Sequence, residues 1–426
     1  MLKSYIRNEL KQRGKVSVLV MLKPDSQTTD DIARIRECFQ PSDRHLESAR
    51  AASMASGGRT ASYNPSAAPS MLYLENLGAA YGQVDQDGWD RLVSHSAALD
   101  DVGAAVPLQP IKGLGSKADV AAAPELSWGV DKIGAPALWA QGLTGKGVLA
   151  AHLDTGVDGT HPALHDAIEA FAEFDATGNP VPGAPIQDSG DHGTHTAGII
   201  AGRPGNGRSI GVAPGCKLVS AAVIEGGDPA ARLLAGVNWA LGFPIKVLSL
   251  SLGFPGYFAH YVPLVKAIRG KGVLPVFAVG NFGPGTSCSP ANYPQAMAVG
   301  AVDQNGDVDA DSSSERLTRR VDPQVPDLVT PGVDIVSANA GGGFRADSGT
   351  SMAAPHASGL AALLWEACPQ ATVDQVESAI YASCSRSGTV PENRAGRGFP
   401  DAVKALADLQ NSMRTPLRRP LSASKP

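Results

Sequence analysis

The chain has 426 residues, 43% of them hydrophobic and 18% charged, with a formal net charge of -5. That balance describes a folded globular protein of more than one domain and excludes a disordered or polyanion-binding chain, so nucleic acid is not an expected partner. No apolar run approaches the roughly 18 residues that cross a bilayer, so no membrane partner is expected either.

The first stretch, MLKSYIRNELKQRGKVSVLVMLKP, breaks every short apolar run with a charge. A secretory signal needs an apolar core of about 7–15 residues. The five cysteines (Cys38, Cys216, Cys288, Cys368, Cys384) are odd in number, widely spaced and without a CxxC pair. Free thiols in a reducing compartment fit that pattern. The expected location is cytoplasmic, and the alternative is secretion by a route the sequence does not display.

Residues 15–111 read as a small α+β unit. KVSVLVMLKP reads as a strand, and TTDDIARIRECF as a helix capped by Thr29 or Asp30. A flexible Ala/Ser-rich insertion is expected at about 40–70. MLYLENLGAAYGQV follows as a strand region, DQDGWDRLVSHSAAL as a helix and VGAAVPLQPI as a last strand. The order β-α-β-β-α-β suits a ferredoxin-like module. GLGSKADVAAAPEL, residues 113–126, is short on bulky apolar side chains and reads as an exposed linker.

From Trp128 to about Leu409, near-continuous apolar runs such as GVLAAHLD, CKLVSAAVI, KVLSLSLG, GVLPVFAVG and AMAVGAVD alternate with helical patterns. Buried strands between helices predict a parallel sheet covered on both faces. The Pro-rich, basic end, 411–426, reads as a flexible solvated tail.

In an open parallel sheet, functional residues gather beyond the carboxyl ends of the strands. Asp154 ends GVLAAHLD, and Gly156 allows a tight turn there. Alone, such an aspartate is equally a cap or turn former. DSGDHGTHTAGIIAG places His192 at the start of a small-residue helix, with His195 one turn later. A zinc reading lacks HExxH, a third ligand and a cysteine in register, so His195 reads as a packed structural histidine. SGTSMAAPHASG sets Ser351 among small residues and reads either as a hydroxyl at a helix start, where backbone amides favour negative charge, or as a Gly/Ala-rich helix packed tightly against a neighbour. Pro355 is expected to be tolerated there because early amides lack intrahelical partners. A serine hydroxyl becomes a nucleophile when a base takes its proton, and the base works best when a carboxylate orients it.

The segments DTGVDGTHP, HGTHTAG and GTSMAAPHASG resemble the three signature segments of the subtilisin-like serine peptidases, in that family's order. The resemblance runs from about Trp128 to about Leu409. It implies a three-layer α/β fold, a mostly parallel sheet between helices, with 128–410 as the catalytic domain. It also implies a serine endopeptidase working through an acyl-enzyme, with Asp154 orienting, His192 as general base and then acid, and Ser351 as nucleophile. FAVGNFGPG resembles the family's oxyanion segment, which gives that role to Asn281. SLSLG, ending at Ser251, Leu252 and Gly253, resembles the edge that pairs with an extended peptide. Together with Ala278, Val279 and Gly280 it implies a specificity pocket of small residues that admits a medium or large apolar side chain.

Residues 1–111 resemble the family's inhibitory, folding-assisting prodomain. Such a prodomain would be an intramolecular partner beside peptide or protein substrates. Self-cleavage is then expected within 107–126, around a linker at 112–127. The chain departs from the family at Ala163, where the strongest calcium site has an acid, and at RPGNGRSIGV, which replaces an Asn-rich loop. That site is expected to be lost; no cofactor is expected, and calcium at some other site stays open. Two rivals remain at this stage: a pseudo-enzyme that keeps the cleft to bind peptides, and a protein whose prodomain stays attached as a regulator.

Overall fold

The computed structural model describes residues 2–40, 71–95, 99–104, 114–120 and 125–414, apart from 176, 206–207, 225–228, 320–321 and 387–389. Nearly all of the expected insertion, most of the tail, and 107–113 and 121–124 of the processing window lie outside the described residues.

The N-terminal unit runs α1 (Leu2–Arg13), β1 (Val16–Leu22), α2 (Thr29–Arg36), β2 (Met71–Leu74), β3 (Ala79–Val84), α3 (Gln86–Ser94) and β4 (Leu99–Ala104). Helix α1 is an addition to the sequence reading. Its Ile6 and Leu10, one turn apart, are both buried, and two apolar positions among charges are a faint periodic signal. The α2 cap is Thr28, one residue earlier than expected, and its side chain accepts from Asp31 N at 3.2 Å. The strands form an antiparallel sheet in the order β2-β3-β1-β4, as a ferredoxin-like module requires.

Alternation along β1 divides its side chains between two cores. Val18 and Val20 pack with Trp89 and Leu92 inside the unit. Leu19 and Met21, with Tyr81, face the other way and pack with Leu233, Leu234 and Val237 of the C-terminal part. Asn76 adds two hydrogen bonds across this contact, its N–H to Asn238 Oδ1 at 2.8 Å and its Nδ2 to Asn238 O at 2.9 Å.

Beyond Trp128, seven strands form the central sheet: β6 (Leu149–Asp154), β7 (Ile168–Glu173), β8 (Lys217–Ala222), β9 (Val247–Leu250), β10 (Leu274–Ala278), β11 (Met297–Val302) and β12 (Leu328–Pro331). Their order is β12-β11-β10-β9-β6-β8-β7, and every pair is parallel. Helices cover both faces: α4 (His192–Ala201), α5 (Pro229–Ala240), α6 (Val262–Gly270), α7 (Thr350–Ala367), α8 (Val373–Ser383) and α9 (Ala402–Arg414). Ala150, Leu218, Val247 and Val276 join α4 and α7 in one core. Their neighbours Ala151, Val219, Leu248 and Phe277 join α5 and α6 in the other. Burial on both faces is why these strands read as unbroken apolar runs.

Two expectations need correction. The stretch read as an exposed linker contains strand β5 (Leu114–Val120), antiparallel to β14 (Phe344–Ser348), whose other neighbour is β13 (Ile335–Ala338). Strand pairing uses backbone groups, so a lack of bulky side chains did not exclude it. The last helix runs into the expected tail as far as Arg414, because buried Leu406 and Leu409 hold it and Ser412 Oγ donates to Leu409 O at 2.7 Å.

Candidate active site

Strand β6 delivers Asp154 to the carboxyl end of the sheet, between β8 and β9. Thr155 N donates to its Oδ1 at 2.7 Å. Gly156 (φ 120°) and Gly193 let the loop after β6 touch α4. A Cβ on Gly156 would lie 2.2 Å from Gln187 O, and one on Gly193 2.0 Å from Gly156 O. That close approach explains a glycine in each motif. His192 opens α4 just after Asp191, a left-handed residue at φ 61°.

His192 Nδ1 donates to Asp154 Oδ1 at 2.7 Å, with side chains 22% and 1% exposed. Burial works against the imidazolium, but the charge and hydrogen bond of Asp154 more than offset it and hold the imidazole above the ordinary histidine range. Burial likewise raises the Asp154 carboxyl, and His192, His152 and Thr155 N–H bring it below the usual carboxylate range. A partly exposed imidazole oriented by a buried carboxylate can act as a base through its outer nitrogen.

Ser351 lies in the first turn of α7, after Gly349 (φ 142°). Thr350 donates to Asn281 Oδ1 through its N–H at 2.9 Å and its Oγ1 at 2.8 Å. This fixes the Asn281 amide, with Nδ2 3.0 Å from where a Gly349 Cβ would stand. The Ser351 N–H belongs to a helical turn whose amides lack intrahelical acceptors. Ser351 Oγ donates to Ser251 O at 3.3 Å, and no hydrogen bond joins it to His192 among the described residues.

Pro355 is the sixth residue of α7, past the unpaired amides, so its expected explanation was incomplete. Its ring removes the donor for Ser351 O, and Ser251 Oγ supplies one at 2.8 Å. Ser251 thereby ties the end of β9 to α7.

The other residues expected to bind substrate lie close by. Ser251, Leu252 and Gly253 follow β9, while Ala278 ends the adjacent β10 and leads into Val279 and Gly280. The side chains of Leu252 and Val279 are in the second core, so only their backbone could meet a substrate. Gly280 (φ 115°) leaves room for Cys288, whose Sγ would lie 2.6 Å from an added Cβ.

Sequence reasoning missed a polar cluster behind Asp154. The ring of His152 spans Ser220 Oγ at 3.0 Å and Thr196 Oγ1 at 2.8 Å. Thr196 Oγ1 in turn donates toward Asp154 Oδ2 at 3.3 Å. His152 and Ser220 are 2% and 0% exposed, so this second Ser–His pair has no access to a substrate. A histidine inside an apolar strand, LAAHLD, was the signal available. His195 is buried as expected, and its Nε2–H is directed at Ile335 O and Arg345 O.

Residues 145–398 match the subtilase family. The chain belongs to that family. It is 36% identical over 286 residues to subtilisin Savinase of Lederbergia lenta, covering 66% of this chain and 99% of the relative. Similarity to the alkaline protease of Shouchella clausii is also 36%, over 66% of this chain and 70% of the relative. Subtilisin E of Bacillus subtilis (strain 168) is 34% identical over 62% of this chain and 68% of its own length. As a subtilase, the chain is a serine endopeptidase.

Among the described residues, those at the positions of the family's strongest calcium site do not fit a calcium ion. Ala163 is buried in the main core and its carbonyl accepts Arg203 N at 2.8 Å. The Arg203 guanidinium donates to Ala201 O at 2.9 Å and Cys216 O at 2.7 Å, and pairs with Asp166 at 3.0 Å. A cation side chain thus occupies carbonyls beside the loop, where calcium would need several oxygens including carboxylates.

Proposed function

We propose that this subtilase hydrolyses peptide bonds through an acyl-enzyme formed on Ser351, with His192 as base and then acid and Asp154 as its orienting carboxylate. The observation that carries this reading is the 2.7 Å bond from His192 Nδ1 to Asp154, which leaves the outer nitrogen of a partly exposed imidazole for a serine hydroxyl. Catalytic hydrogen bonds often tighten only with substrate bound. The bond from Ser351 Oγ to Ser251 O is a long one that substrate binding can exchange for His192 Nε2. The substrate lies extended along Ser251–Gly253, and the small residues at Ala278–Gly280 favour an apolar side chain before the scissile bond.

A fluorophosphonate probe tests the reading. Ser351 should be labelled in a folded sample, and labelling should disappear in His192→Ala. A folded, prodomain-free sample that stays unlabelled would instead mark a peptide-binding pseudo-enzyme.

Asn281 Nδ2 and Ser351 N–H form the oxyanion site in this reading. Asn281→Asp keeps the acceptor that holds Thr350 and replaces the donor. Turnover should fall by at least about 10²–10³, the magnitude known for losing this donor in subtilisin, with little change in KM. A kcat within a few-fold of wild type would remove Asn281 from the oxyanion site.

The N-terminal unit acts in this reading as an inhibitory prodomain, packed through β1 and β3 against the helix that carries Asn238. Self-cleavage lies within 107–126, on the stretch that includes β5. We infer further that catalysis needs no resident metal, and that the cysteines, all unpaired in the structure, suit a reducing compartment such as the cytoplasm.

A further inference from the structure

Strand β14 carries two buried charges whose role the triad does not explain. Arg345 and Asp347 are 3% and 5% exposed and lie on the inward face of the strand. Arg345 Nη2 donates to the carbonyl of Asp191 at 3.1 Å and to Asp347 Oδ2 at 3.3 Å. Its Nη1 is 3.8 Å from the Asp191 carboxylate, and its Nε has no partner among the described residues. The Arg345 carbonyl accepts from His195 Nε2 at 3.2 Å. Strand β14 therefore grips α4 on both sides of His192, and its chain continues through Gly349 and Thr350 to Ser351.

Burying a guanidinium with one N–H unpaired is costly, and an apolar side chain would pack the site without that cost. What an apolar side chain would not do is hold the carbonyl of a left-handed residue. Asp191 is such a residue, in a conformation that favours glycine and that aspartate adopts only occasionally. It sets the direction in which α4 starts, and with it the place of His192.

We propose that Arg345 and Asp347 are positioning residues for His192, the guanidinium fixing Asp191 and the carboxylate cancelling its charge beside the base. The inference rests on the reading of His192 as that base. Among the described residues, few other charged or titratable groups surround the imidazole. Asp154 faces it from β6, where burial brings His152 below the ordinary histidine range. On its own helix, His195 is pushed down to about 3, first by burial and then by Arg345 and His192. Asp188, in the preceding loop, is engaged by Thr155 and Thr194. From β14, Asp347 favours the imidazolium and Arg345 opposes it.

The test is the pH profile of kcat/KM for full-length variants, with folding checked by thermal melting. Asp347→Asn leaves the cation unopposed, so the acid-limb midpoint should move to lower pH. Arg345→Met should move it to higher pH, and the pair Arg345→Met/Asp347→Leu should bring it back toward wild type. Arg345→Lys keeps the charge but loses the planar fork. Its midpoint should stay, while kcat falls about 10-fold or more through misplacement of His192.

A pair serving only packing would change stability without these opposed shifts. Wild-type midpoints and kcat in folded Asp347→Asn and Arg345→Lys, which are the variants most able to fold, would overturn the inference. Failure of the underlying reading looks different: folded, prodomain-free wild-type protein would itself resist the fluorophosphonate at Ser351.

Discussion

Replacing Ser351 with alanine is expected to lower kcat by about 10⁶, the cost known for the same change in subtilisin. The size follows from what one oxygen does. In the proposed mechanism it forms the bond to the substrate carbonyl, and without it His192 has no hydroxyl proton to take and Asp154 no imidazolium to stabilise, so the three fail as a unit. Some acceleration over water should survive, because substrate positioning and the oxyanion donors do not depend on that oxygen. The fold should be almost untouched: Oγ makes a 3.3 Å bond to Ser251 O, whereas the tie between β9 and α7 runs through Ser251 Oγ and Ser351 O, which alanine keeps. Melting temperature and turnover measured on the same preparation separate these effects. The variant also tests processing. Wild-type protein should yield an N-terminal fragment ending within 107–126, and Ser351→Ala should stay whole. Equal fragment in both would assign the cleavage to another protease, and turnover within a few-fold of wild type would remove Ser351 from the reaction.

What the sequence could disclose divides along a physical line. Features carried by short contiguous stretches were legible. The strand ending in Asp154, the small-residue helix starting at His192 and the turn before Ser351 each declare themselves within ten or so residues. Burial on both faces made the sheet strands readable as apolar runs. Contacts between remote segments were not legible. Nothing in FRADS indicates that Arg345 reaches Asp191, 154 positions earlier. The hydrogen bond from Ser251 to the carbonyl freed by Pro355 spans 100 positions. Strand β5 was misread for a related reason: Gly115, Ser116 and Ala118 have little side-chain signature, and its partner strand lies more than 200 residues away. His152 was visible as a polar residue in an apolar strand, yet only the fold shows its ring spanning Ser220 and Thr196.

Removing the orienting group should have the next largest effect. Asp154→Ala is expected to lower kcat by about 10⁴, again as in subtilisin, because charge and acceptor vanish together. Asp154→Asn separates the two. In a triad where the amide turns its NH₂ to the histidine, the wrong tautomer results, at a cost of about 10⁴. The surroundings of Asp154 oppose that flip. Both Thr155 N–H and His192 Nδ1–H converge on Oδ1, at 2.7 Å each. An NH₂ placed there would confront two donors, whereas the amide oxygen accepts both. The NH₂ then takes the place of Oδ2, beside Thr196 Oγ1, which can accept its hydrogen. The asparagine variant should therefore keep the productive tautomer and lose only the charge, so its kcat should exceed that of the alanine variant.

The charge has a pH signature of its own. Asp154 holds the His192 imidazole above the ordinary range, and the proposed mechanism requires the neutral ring, so wild-type kcat/KM should climb as pH rises through that raised value. Without the carboxylate charge the midpoint falls. Below the wild-type midpoint the variant holds the larger neutral fraction, so its deficit relative to wild type should shrink as pH drops. Profiles of both variants from mildly acidic to mildly alkaline pH decide the matter. Equal kcat for Asn and Ala, with midpoints at the wild-type value, would mean that Asp154 neither orients nor charges the base.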